Sequence, residues 1–127
     1  MRKLSASNLV AYINQLDKKQ VYNYVNPKTK DVIRIEGVDL PEGPIRIKRW
    51  NPSDGEIETK AKVESISSEL IWRVANSFNP NQPINIDRIL GASYNTRSVF
   101  EALLAHTPEF YFCYIRDVLK TKADTQP

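Results

Sequence analysis

The sequence predicts an α+β fold: an N-terminal helix, a small antiparallel sheet and a C-terminal helical cluster. Three observations predict it. Apolar residues fall at helical spacing in "NLVAYINQL" near the start. They switch to strict alternation in "DVIRIEGV" and "PIRIKRW". They return to helical spacing from "SELIWRVANSF" onward. A period that moves from 3.6 to 2 and back separates helices from strands along one chain.

The chain has 127 residues, enough for one core in one domain over 1–127. We divide it into a helix-plus-sheet half at 1–63, a helical half at 64–118, and a polar tail at 119–127 expected to fray. No run approaches the roughly 20 apolar residues of a membrane span. The opening "MRKLSASNLVAYINQL" carries Asn and Gln where an export signal needs an apolar run, so none is read. A single cysteine excludes an internal disulfide and suits a reducing, cytoplasmic setting. One Cys and one His do not make a protein-only Cys/His zinc site. The four glycines are scattered singly, so no phosphate-cradling loop is read. The net charge of +3 is compatible with nucleic acid without implying it.

Taken in order, residues 5–25 read as a helix. Leu9, Val10, Ile13 and Leu16 share a face, and Ser5 or Ser7 caps it. "NPKTKD" at 26–31 reads as a turn. Next comes a small antiparallel meander over 31–63. Ile33 and Ile35 alternate with Arg34 and Glu36; Ile45 and Ile47 alternate with Arg46 and Lys48. "LPEGP" and "NPSDG" turn the chain, and "EIETKAKV" returns as a strand or edge.

Ser67 then caps a helix whose stripe is Leu70, Ile71, Val74, Ala75 and Phe78. Asn85 caps a short helix with Ile86, Ile89 and Leu90, which Gly91 ends. Ser93 or Asn95 caps a third helix built on Val99, Phe100, Leu103 and Leu104. Pro108 stops it, and "FYFCYI" at 110–115 reads as a buried strand.

Helix, short helix, break, helix, strand is the order of a winged helix-turn-helix, in which the third helix enters the DNA major groove. On that reading Ser93, Tyr94, Asn95, Thr96, Arg97 and Ser98 face nucleic acid. Arg97 suits bidentate pairing with guanine and Asn95 with adenine. Ser93, Tyr94 and Thr96 suit phosphate oxygens at a helix start. The competing reading keeps Ser93, Asn95 and Thr96 as caps and Arg97 as a solvated surface residue.

The stretch "ISSELIWRVANSFNPNQPINIDRILGASYNTRSVFEALLAHTPEFYFCY" resembles winged helix-turn-helix DNA-binding modules attached to bacterial restriction endonucleases and related DNA-processing proteins. The resemblance covers about the last half of the chain. It implies a winged-helix-like cluster, double-stranded DNA as partner, and a catalytic domain or subunit elsewhere. It also implies a two-stranded wing, yet no good second strand is read after Ile115, which suggests one piece of a longer protein.

Two other constellations carry chemistry. "IRIKRW" puts Arg46 and Lys48 on one strand face, with Arg49 and Trp50 at its end and Lys60 and Lys62 nearby. Basic residues beside an aromatic suit a phosphate backbone or a stacked base. Interleaved Glu42, Asp54, Glu56 and Glu58 suit a salt-bridged, solvated face instead. Glu58-Thr59-Lys60 is an acid-x-lysine triplet, as in metal-dependent restriction-type nucleases, with Asp39 upstream. Asp39 and Glu58 would hold Mg²⁺ while Lys60 polarises water. Asp39 has no preceding proline, however, and Thr59 is polar for a core strand.

His106 reads as a partner of the helix dipole, Cys113 as core, and Trp72 as core or interface. The expectation is a module that recognises DNA sequence, without cofactor or metal and without cleaving by itself. The alternatives are a protein-interaction module using Tyr94, Trp50 and basic residues, and a small Mg-dependent nuclease.

Overall fold

The computed structural model describes residues 4–78, 82–91, 96–113 and 118–121, with the backbone alone at 111–113 and 121. Its first helix, α1 (Ala6–Asn14), begins with a reciprocal cap. The Asn8 N–H donates to Ser5 Oγ at 3.1 Å, and the Ser5 N–H donates to Asn8 Oδ1 at 3.2 Å. The helix buries Ala6, Leu9, Val10 and Ile13. It is shorter than residues 5–25. The Asp17 carboxylate accepts from the Lys19 N–H at 2.8 Å, and the Asp17 carbonyl from the Tyr22 hydroxyl at 2.7 Å. These bonds compete with further helix and lead into a short strand, β1 (Tyr22–Asn23).

Strands β2 (Val32–Val38), β3 (Ile45–Trp50) and β4 (Val63–Ile66) join β1 in an antiparallel sheet of order β1-β2-β3-β4. The register places Ile35 opposite Ile47 and Ile45 opposite Ile66. With Ile33 these isoleucines form the inner face and are almost fully buried. A bulge at Glu36 shifts the β2–β3 register. Between these strands Gly43 has φ 87°, and its N–H donates to Asp39 O at 2.8 Å. A Cβ there would also meet Ile71 Cδ1, so this turn needs glycine twice over.

Residues 56–63 do not form the expected returning strand. Glu58–Lys60 is a 3₁₀ turn closed by the Ala61 N–H on Glu58 O at 3.0 Å, and β4 starts only at Val63.

The helical half follows its local signals. Ser67 Oγ accepts from the Leu70 N–H at 3.1 Å to start α2 (Ser68–Asn76). Asn85 Oδ1 accepts from the Arg88 N–H at 2.9 Å to start α3 (Ile86–Leu90). Gly91, at φ 67°, ends it. Helix α4 (Arg97–His106) buries Val99, Phe100, Ala102, Leu103 and Leu104. Trp72 is not core: it is 57% exposed on α2.

Beyond α4, β5 (Phe110–Cys113) pairs with β6 (Val118–Thr121) as an antiparallel hairpin. This supplies the second strand not expected after Ile115 and places 119–121 in a strand rather than a frayed tail; residues 122–127 lie outside the described residues. Leu119 is fully buried, and it exchanges N–H···O bonds of 2.8 Å each way with Ile84, just ahead of α3. A polar-looking segment is thus held by two buried apolar residues, Val118 and Leu119, and by backbone pairing. Cys113 lies on β5 opposite Val118. One buried cluster runs from Leu4 through the sheet isoleucines to Phe100, Phe110 and Leu119.

Candidate nucleic-acid interface

Helix α4 starts at Arg97, whose Nε donates to Asp87 Oδ1 at 2.8 Å. Asp87 sits in the first turn of α3, so the bond spans the Gly91 break and ties the two helices together. The Asp87 side chain is 77% exposed and that of Arg97 is 29% exposed, so the guanidinium is the more enclosed partner. The N-cap is Thr96 rather than Ser93 or Asn95, and its side chain makes no capping bond. Ser93, Tyr94 and Asn95 lie outside the described residues.

A polar cleft of about 580 Å³ opens beside this helix start. Arg97, Ser98 and Glu101 of α4 form one wall, and the loop after β1 forms the other, through Tyr24, Asn26 and Thr29. Nothing local signals this meeting, because the loop reads as an ordinary turn and lies some seventy residues from α4.

Arg49 also reaches the cleft. Strand alternation puts it with Ile45 and Ile47 on the inner face, not with Arg46 and Lys48. Its Nε and Nη2 donate to the two carboxylate oxygens of Glu64 at 2.7 and 2.8 Å, and its Nη1 donates to the Tyr24 hydroxyl at 3.3 Å. Burial works against the Arg49 charge, but the bonds to Glu64 and Tyr24 outweigh it and hold the guanidinium above its ordinary pKa. Burial raises the Tyr24 pKa despite the opposing pull of Arg49. Arg49 therefore braces one end of the sheet.

The outer face holds Arg34, Arg46, Lys48 and Trp50. Arg34 and Lys48 sit directly opposite each other, an unfavourable pairing of like charges. Carboxylates relieve it: Glu58 lies 3.1 Å from Arg34, and Glu36 lies 3.4 Å from Lys48. Arg46 donates to Asp39 at 2.7 Å, and that bond raises the Arg46 pKa. Three cations thus face three acids, and Trp50, on the same strand face, is partly buried.

The same pairs separate the nuclease constellation. Asp39 and Glu58 bind different arginines, and Glu58 and Lys60 sit in a 3₁₀ turn rather than on a strand face. Among the described residues, no group of three or more His, Cys, Asp or Glu is placed to hold a metal ion. His106 closes α4, with Nε2 3.0 Å from Asn23 O and its ring centroid 5.1 Å from that of Tyr22. Among the described residues, no helix is long and apolar enough to cross a membrane.

One relative stands out. The chain is similar to the type II restriction enzyme NmeDI of Neisseria meningitidis serogroup C, with 49% identity over 117 residues. The match covers 92% of this chain and 30% of that enzyme, so the chain spans less than a third of its relative's length. No family model matches the chain. No solved structure matches it.

Proposed function

We propose that the chain is a DNA-binding module of a restriction-type nuclease, which recognises duplex sequence and leaves cleavage to another part of the system. Helix α4 is the recognition element on this reading, and β5–β6 is the wing. The observation that carries it is the order α2, α3, α4, β5, β6 with the start of α4 fixed by Arg97 on Asp87. A recognition helix needs its first residues aimed outward and held there. Asp87 supplies the hold for Arg97, a residue type that reads guanine in the major groove. Similarity to a segment of a type II restriction enzyme supports a role in restriction.

The partner is double-stranded DNA, together with a catalytic domain or subunit, in a bacterial cytoplasm. Arg46, Lys48 and Trp50 add at most a secondary contact, because each outer-face cation already has a carboxylate. Arg49 acts from behind, through Glu64 and Tyr24. Duplex binding over a salt series tests the reading. Phosphate contacts give a log-linear loss of affinity with salt. A chain that binds no duplex at low salt would refute it.

A further inference from the structure

The loop between β1 and β2, read from sequence only as a turn, stands across the polar cleft from the start of α4. Resting on the DNA-binding reading above, we propose that this loop is a second contact arm, whose Lys28 and Lys30 meet the phosphate backbone of the duplex that α4 reads.

The loop is built to hold a shape. Asn26 Oδ1 accepts from the Lys28 N–H at 2.9 Å, and Asn26 O accepts from the Thr29 N–H at 3.1 Å. Asn26 thereby closes the turn from both its side chain and its backbone. Asn26, Pro27 and Thr29 line the cleft while Lys28 and Lys30 do not, so the two lysines point away from its floor. Both are exposed. Lys30 Nζ donates to Pro27 O at 3.2 Å, a neutral acceptor that leaves the charge uncompensated. Lys28 pairs with no carboxylate among the described residues. This differs from the outer sheet face, where every cation is matched by an acid.

Charge decides where a phosphate would sit. The cleft itself holds Asp31, Asp87 and Glu101 against Arg49 and Arg97, so its floor repels an anion. The rim carrying Lys28 and Lys30 attracts one. A helix seated in a major groove about 12 Å wide has a phosphate backbone along each side of it. The loop flanks the first turn of α4, where one of those backbones would pass. Backbone contacts of this kind set position and affinity without choosing sequence.

The test compares the intact chain, K28A, K28A/K30A and R97A, each titrated onto labelled duplexes of several sequences over a salt series. Both lysines are exposed, so circular dichroism and melting should match the parent chain. The arm predicts affinity lowered by the same factor on every duplex, and a salt slope shallower by roughly 0.9 per lysine removed. If R97A weakens binding while K28A/K30A keeps both the affinity and the slope, the arm is wrong and the recognition helix stands. If the intact chain binds no duplex, both readings fall.

Discussion

Arg97 and Asp87 form a 2.8 Å bond across the Gly91 break, joining the second residue of α3 to the first of α4. An exposed pair of this kind adds about 0–1 kcal/mol to stability. Its weight lies in where it holds the guanidinium. Replacing Asp87 by Ala should leave the melting temperature within a few degrees of the parent. It should raise affinity for unrelated duplexes by removing a carboxylate near the phosphates, and it should narrow the gap between preferred and unrelated sequences. Competition binding with both DNA types measures this; an unchanged ratio would make Asp87 a bystander.

Glu64 should matter more for stability than for DNA. Its carboxylate takes two hydrogen bonds from a guanidinium whose side chain is 26% exposed. Removing it in Glu64→Ala leaves Arg49 short of partners, at about 1–2 kcal/mol after allowance for solvent screening. Urea denaturation should show a lower midpoint with the slope unchanged. Glu64→Gln, which keeps one acceptor, should lose less.

Gly91 combines φ 67° with ψ −167°, a region reached essentially by glycine alone. Among the described residues nothing lies within 4 Å of where a Cβ would sit, so Gly91→Ala tests backbone strain rather than a clash. We expect a loss of about 1–3 kcal/mol, read by thermal unfolding. A variant as stable as the parent would show that the α3–α4 break relaxes at no cost.

The chain should not cut DNA. Asp39 and Glu58 are held by Arg46 and Arg34, and Lys60 sits in the same short turn as Glu58. Supercoiled plasmid incubated with Mg²⁺ or Mn²⁺ should stay intact. Nicking that vanishes in both Glu58→Ala and Lys60→Ala, with folding preserved, would restore the nuclease alternative.

What was legible in the sequence was mostly local. Ser67, Asn85 and Gly91 act within about one helical turn of themselves, and each does what its residue type suggests. Alternation in "IRIKRW" gave the sheet face correctly for Arg46 and Lys48. Contacts across the chain were not legible. Glu64 meets Arg49 fifteen residues away, and Tyr24 meets it at twenty-five. Neither spacing leaves a periodic trace. Strand β6 is hidden in the sequence because its apolar part is only Val118 and Leu119 between polar residues, while the backbone bonds of Leu119 to Ile84 leave no sequence mark. The β1–β2 loop reads as a turn from its residue types, but its place beside α4 depends on the whole fold.

The most direct test of the central claim is selection of bound duplexes from a random-sequence pool, run in parallel with the parent chain and R97A. The parent chain should enrich a defined sequence. R97A should lose the preference for guanine at one position, with a penalty of about 1–3 kcal/mol on the preferred site. No enrichment by the parent, or the same sequence recovered by R97A at equal affinity, would contradict it.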